Sequence, residues 1–270
     1  MTHATDKHPA SAYRALGADQ YHSTVLTRGP WHPDHQHAGP PVALVCRALE
    51  AAAQPHGLSH LARLTANLVR PVPIAELQVD VQPVYVGRNA GHFSARLLAQ
   101  GKEVGVFTAL LQRENPLHLP QGLPGHPLPL IPTGPQDSAP AHFPFAGQNT
   151  GYADLVETRS AQGTIFNGPC AIWFRLRHPL LEGEVPSPYQ RVAVAADSGN
   201  GISAILDYQR YSFVNSDLTI NLLRRPQGEW ICLQAHTWLG DNGTGLAESA
   251  LYDTQGLIGR STQSLAVRER

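Results

Sequence analysis

The chain has 270 residues, 42% of them hydrophobic and 15% charged, with 24 Gly and 23 Pro; this composition belongs to a loop-rich globular protein rather than a disordered or fibrous one. A formal net charge of −1 supplies no field that would gather nucleic acid or an anionic membrane surface, and no run of about 18 apolar residues offers a membrane insertion segment. The opening MTHATDKHPASAYRALG is polar and small, not a cationic stretch followed by an apolar one, so a cytoplasmic location is expected. Cys46, Cys170 and Cys232 are odd in number, far apart and flanked by apolar residues. They read as reduced core thiols, not as a disulfide framework or a metal knuckle.

In chain order, the first concentrated chemistry is His32-Pro33-Asp34-His35-Gln36-His37. Imidazoles and a carboxylate stand close together there, but the segment is broken by proline and lacks helical i, i+4 spacing, so no metal is expected. His37 is read as closing this loop onto the helix that follows. That helix is predicted over 39–53 (GPPVALVCRALEAAA), apolar and starting at a Pro pair. Strand-like runs follow at 61–70, 77–86, 92–99 and 104–112. A Pro- and Gly-heavy tract over 116–148 then reads as a linker between a unit at 1–115 and a unit at 149–270. The second unit repeats the order, with a strand at 170–177, a helix at 188–205 and strands at 213–223, 230–238, 245–252 and 259–267.

The halves also match residue by residue. LTANLVRP at 64–71 lies against LTINLLRRP at 218–226, an offset of 154, and Gln100-Gly101 lies against Gln255-Gly256, an offset of 155. Two anchors at nearly one spacing imply duplication. One helix followed by an antiparallel meander is the α+β layout in which a sheet wraps a helix, and two such units pairing edge to edge remove exposed strand edges.

Gly29-Pro30-Trp31, His37-Ala38-Gly39-Pro40-Pro41-Val42-Ala43-Leu44, Arg70-Pro71-Val72-Pro73, Val194-Ala195-Ala196-Asp197, Phe213-Val214-Asn215-Ser216-Asp217-Leu218-Thr219, Gly228-Glu229-Trp230 and Thr262-Gln263-Ser264 stand in an order and spacing that resembles the thioesterase-like superfamily related to acyl-CoA thioesterase II. The resemblance spans nearly the whole chain except the first dozen residues and the linker. It implies a double (tandem) hot dog fold, two helix-wrapped antiparallel sheets joined into one continuous curved sheet. It also implies hydrolysis of acyl-CoA with no cofactor, metal or covalent nucleophile, in lipid metabolism. Carried over by position, the water-holding trio is Asp197, Asn215 and Gln263. By the repeat offsets Thr108 stands where Gln263 does, Leu61 where Asn215 does, and Ala43 and Leu44 opposite Asp197, so the first half carries no counterpart of the carboxylate and one site per chain is expected, at the seam. Family enzymes that carry Thr at the middle position differ from this chain there; an amide still donates to and accepts from water.

The residue chemistry points the same way. Thioester hydrolysis needs a base for water and a donor for the developing oxyanion. Asp197 lies in an apolar helical stretch, where burial is expected to raise its proton affinity toward that of a working base. Gln263, in a strand of small and apolar residues, needs buried partners. Gly39, at the positive end of the first helix, is a candidate backbone donor to substrate, and Arg88 and Arg224 are candidates for the CoA phosphates. Two other readings stay open: a non-catalytic acyl-CoA-binding protein of the same fold, and an enoyl-CoA hydratase or dehydratase working through His35. A homo-oligomer is also open, since a duplicated unit can stand alone or assemble further.

Overall fold

The computed structural model describes residues 9–123 and 133–270. Strands β1 (Tyr13–Ala15) and β2 (Gln20–Ser23) precede helix α1 (Gly39–Ala53) and strands β3 (His60–Leu68), β4 (Glu76–Val86), β5 (Ala90–Ala99) and β6 (Lys102–Gln112). The second half holds β7 (Ala139–Ala141), α2 (Tyr152–Leu155), β8 (Val156–Gln162), β9 (Cys170–Leu176), α3 (Pro188–Ala196) and α4 (Gly199–Ile202). It continues with β10 (Tyr211–Asn215), β11 (Asp217–Leu222), β12 (Ile231–Leu239), β13 (Thr244–Asp253) and β14 (Gly256–Glu269).

All these strands join one open antiparallel sheet, in the order β1-β2-β4-β5-β6-β3-β11-β14-β13-β12-β9-β8-β7, with β10 pairing β14. The fold is a double hot dog of class α+β: each half wraps its sheet around a helix, and the two sheets run on into each other. Along β5 every second residue from Gly91 to Ala99 is buried, the period expected of a strand with one face on a core. The buried faces close on α1, whose Val42, Leu44, Val45, Cys46 and Leu49 are fully shielded, and on α3, where Val192 to Ala196 are buried. A fully buried Leu is worth about 1.5–3 kcal/mol relative to an exposed one, so these two stripes anchor both halves.

The halves meet where β3 pairs β11, with Asp217 opposite Asn67, Thr219 opposite Thr65 and Asn221 opposite Arg63. The Thr219 hydroxyl donates to the Thr65 hydroxyl at 3.3 Å, and these two residues are 154 apart in sequence. That is the duplication offset itself, so equivalent residues touch across the seam and a pseudo-twofold axis passes between them. The neighbouring registers obey the same offset: Thr65 faces Thr108 and Thr219 faces Thr262. Gln263 therefore corresponds to Ala109, not to Thr108; the turn-based anchor misplaced the equivalence by one residue. A one-residue slip exchanges the faces of a strand, and the corrected partner is a buried alanine that leaves no polar group in the first half.

Several expected boundaries shift. The helix expected over 188–205 ends at Ala196, and α4 is a separate short turn starting at Gly199, because helix geometry is weakened by two glycines in Gly199-Asn200-Gly201. The strand expected over 213–223 breaks at Ser216, between β10 and β11. Strands β1, β2, β7 and β8 carry too few apolar residues to announce themselves. Within the tract read as a linker, residues 139–141 pair with β8 and the Trp173 indole donates to the Thr133 carbonyl at 3.1 Å; residues 124–132 of that tract lie outside the described residues. The division into 1–115, 116–148 and 149–270 is our proposal for the units.

In β14, Gly259 faces Leu222, and a Cβ there would sit 2.0 Å from the Asn221 carbonyl oxygen. Gly259→Ala forces β11 and β14 apart beside the seam and is expected to destabilise by about 1–3 kcal/mol. Gly134→Ala, which meets nothing within 4 Å, is the control. Urea unfolding checks both, the expected signature being a lower midpoint at unchanged m for Gly259→Ala alone.

Candidate active site

Asp197 caps the C-terminus of α3 in helical geometry, its N–H bonded to the Ala195 carbonyl. Its side chain is only 5% exposed, so its oxygens must find donors inside the protein. Oδ2 accepts from His37 Nδ1 at 2.9 Å. Oδ1 accepts from Asn215 Nδ2 at 2.9 Å and from Gln263 Nε2 at 3.4 Å. Gln263 also donates to the Asp197 carbonyl at 3.1 Å and accepts from the Asn200 N–H at 2.9 Å, tying the end of α3 to β14. The trio expected from sequence is thus brought together. The bend at Ser216 makes this possible: Asn215 turns to Asp197, while Asp217 accepts from the Ser264 N–H at 2.6 Å and takes no part.

The residue that sequence reading assigned only a structural duty is His37. Its loop is clamped from both sides, with the His37 N–H on the Thr27 carbonyl at 2.7 Å and the Gln36 N–H on the Val72 carbonyl at 2.8 Å. Gln36 also donates to the Pro73 carbonyl at 2.7 Å and accepts from the Tyr13 hydroxyl at 2.6 Å. The His37 ring stacks on Tyr152, centroids 3.7 Å apart and planes 5° from parallel, and Tyr152 donates to the Val194 carbonyl at 3.0 Å. A carboxylate only accepts, so the proton between the pair sits on Nδ1, and Nε2 is the nitrogen that accepts whenever it carries no proton of its own. The signal for this partnership was present as His37 two residues before Gly39, but only the fold carries it to a residue 160 positions later.

Burial pushes the Asp197 carboxyl up, yet the His37 imidazole and the donors on Asn215 and Gly39 outweigh burial and hold it below the ordinary carboxylate range. This overturns the expectation of a raised proton affinity, which counted the apolar surroundings and not the partners. Gly39 is corrected with it. Its N–H lies 3.2 Å from His37 Nδ1 and supports the Asp197 carboxylate, and Pro40 and Pro41 have no N–H to offer, so the first turn of α1 keeps no spare donor for a substrate. Gly39 is required for another reason: a Cβ there would meet the Val194 carbonyl oxygen at 2.4 Å, where α1 and α3 touch.

His37, Asp197, Asn200 and Asn215 open on a cavity of about 350 Å³ whose other walls include Trp31, Leu68, Val72, Phe143, Phe145, Phe166 and Phe213. Asn200 donates to the Phe213 carbonyl at 3.3 Å, which fixes its amide orientation and leaves its buried Oδ1 without a donor. Arg88 and Arg224 do not line this cavity. Arg88 is exposed in the β4–β5 turn, and the Arg224 guanidinium is held by two 2.6 Å bonds to Asp253 and by the carbonyls of Leu257 and Gly256. Its donors are engaged within the fold and not offered to phosphates. His35 stacks on His32 at 4.1 Å, and among the described residues no three His, Cys, Asp or Glu are grouped to hold a metal. All three cysteines are free and buried, and burial pushes the Cys170 thiol up to about 12, outside the range of a thiolate nucleophile.

This arrangement defines a double hot dog protein with one buried polar cluster at the seam of its halves. The model of the acyl-CoA thioesterase N-terminal domain matches residues 27–112 and that of the C-terminal domain matches residues 135–267. The chain belongs to this family, the thioesterase II-related double hot dog proteins. Among solved structures, a candidate thioesterase II from Thermobifida fusca is similar at TM-score 0.75 and 15% identity, covering 99% of each chain. A hot dog protein of unknown function from Alicyclobacillus acidocaldarius gives TM-score 0.70 at 17% identity, again over 99% of each chain. The acyl-CoA thioesterase II TesB2 from Mycobacterium marinum gives 0.62 at 13% identity, covering 96% of this chain and 95% of that one. Among curated proteins none matches this sequence.

With a folded-state value depressed below the unfolded one, ionised Asp197 contributes stability that is present above the ordinary carboxylate range and is lost as pH falls through the folded-state value. The stability difference between wild type and Asp197→Asn is therefore expected to be constant from about pH 7 to pH 5 and to shrink below about pH 4. Denaturant titrations across that range check it, and a difference that grows on acidification contradicts the depressed value.

Proposed function

We propose that the chain hydrolyses acyl-CoA thioesters, with water activated at the Asp197–His37 pair and no cofactor, metal or covalent intermediate. The observation that carries this reading is a buried carboxylate, held ionised by an imidazole, on the wall of an otherwise apolar cavity between the halves. The carboxylate, bound to Nδ1, fixes the imidazole tautomer and stabilises the imidazolium that forms when Nε2 takes a proton. His37 Nε2 removes a proton from water, the resulting hydroxide adds to the thioester carbon, and the carbonyl oxygen becomes an oxyanion. The tetrahedral species then expels the CoA thiolate, which takes the proton back from Nε2.

Asn215 is the proposed oxyanion donor: one N–H of its amide is bound to Asp197, and the other has only a 3.5 Å contact with the Asp217 carbonyl. Gln263 is a positioning residue, fixing Asp197 against Asn200 from beneath. A cytoplasmic enzyme of lipid metabolism, alone or as a homo-oligomer, fits this reading; no helix among the described residues is long and apolar enough to cross a membrane. The thioesterase reading is favoured over acyl-CoA binding without turnover because a merely binding cavity has no use for a fixed His–carboxylate pair.

The test is release of free CoA thiol from a panel of acyl-CoAs. Wild type is expected to release thiol, while Asp197→Asn and His37→Ala each lower kcat by about 10²–10⁴-fold, with the double variant little worse than either single one. Binding with no thiol release by wild type overturns the reading in favour of a binding protein, and water addition to an enoyl-CoA overturns it in favour of a hydratase. At the amide position, Asn215→Thr, whose single O–H cannot serve Asp197 and the oxyanion together, is expected to lose about tenfold in kcat, whereas Asn215→Leu loses about 10²-fold or more.

A further inference from the structure

The cavity contains two aromatic groups at different depths. Trp31 stands at its mouth, 52% exposed, with its ring edge-on to Phe213 at 5.8 Å. The inner wall is a trio: Phe143 is stacked on Phe145 at 5.0 Å, and Phe145 meets Phe166 edge to face at 6.5 Å. Phe143 is only 6% exposed. The trio lies close to the reacting groups, because Phe143 packs on Tyr152 at 6.0 Å, Tyr152 on His37 at 3.7 Å, and His37 binds Asp197.

Phe166 reaches the cavity from a backbone with φ of 64°, the left-handed region that side-chain-bearing residues avoid. The loop is pinned there by the Phe166 N–H on the Ile202 carbonyl and the Gly168 N–H on the Ala204 carbonyl, both at 3.0 Å. Strain of this kind persists where surrounding structure imposes it, and it concentrates at ligand sites. Here it turns an aromatic ring toward Phe145 and Tyr208, the latter at 5.4 Å.

A space of about 350 Å³ takes a small ligand portion, and the nucleotide of CoA must stay outside the exposed mouth. The acyl group then points inward, toward the trio. Resting on the thioesterase reading above, we propose that this site selects aromatic acyl groups, with a ring one or two carbons from the thioester, over alkyl chains of equal carbon count. Aromatic rings on the wall interact with another flat ring, offset or edge on, beyond mere area burial. A flexible chain must freeze several rotors to fill the same space.

The comparison is kcat/KM of the full chain for phenylacetyl-CoA against octanoyl-CoA, whose acyl groups both have eight carbons. The aromatic ester is expected to lead by at least about tenfold, a difference of about 1.4 kcal/mol. Phe166→Gly, which relieves the backbone as it removes the ring, and Phe145→Leu, which keeps apolar volume, are each expected to bring the ratio to within about threefold of unity. A wild-type ratio at or below unity overturns the proposal, as does a ratio that neither variant moves. If no acyl-CoA yields thiol, the hydrolysis reading fails separately, and calorimetric affinities for the same two esters decide selectivity; equal affinities overturn it.

Discussion

The constraint on which the site depends is the electrostatic one at Asp197: a carboxylate shielded from water at the end of α3 must be matched by donors, and the protein draws them from three separated segments. His37 and Gly39 come from the first half, Asn215 and Gln263 from the second. None of these can move far without leaving a buried charge unpaired, a far larger penalty than the net value of any one bond. The clamped His37 loop, the close α1–α3 contact at Gly39 and the break at Ser216 are three local irregularities that serve this one requirement.

The duplication explains why there is one such cluster. Thr65 and Thr219 mark the pseudo-twofold axis, and an exact repeat would place a second carboxylate at the opposite end of the seam. The first half instead has buried Ala109 in the position equivalent to Gln263 and apolar residues along α1. One half thus contributes mainly packing, plus the loop that delivers His37, and the other contributes the carboxylate and its amides. Both halves are needed for the His–carboxylate contact, since neither alone assembles it.

Much was legible from local pattern. Alternation in 92–99 and 104–112, the apolar run after Gly39 and the two LT-x-N-L segments fixed the main strands, the first helix and the repeat, because periodic burial is a property of consecutive residues. Asp197 and Gln263 stood out as polar groups in apolar segments, and Asn215 joined them only through the family resemblance. The errors have a common form. The raised proton affinity expected for Asp197 followed from its neighbours in sequence and ignored those in space; the helix expected over 188–205 ran through two glycines that the fold uses as a turn; Arg224, a candidate for the CoA phosphates, is held by Asp253, 29 residues away in sequence.

Composition, periodicity and internal repetition by themselves determined that this chain makes two like α+β units, since each follows from short-range patterning and from the burial of apolar faces; the polar trio in the second unit followed from its resemblance to a known family. Only the tertiary structure decided that His37 is the partner of Asp197, that Gly39 is committed to that pair, and that the cavity beside them is walled by Phe143, Phe145 and Phe166. These are contacts across the seam or across long loops. Their energies depend on distance and shielding from water, and neither quantity is encoded in the spacing of residues along a chain.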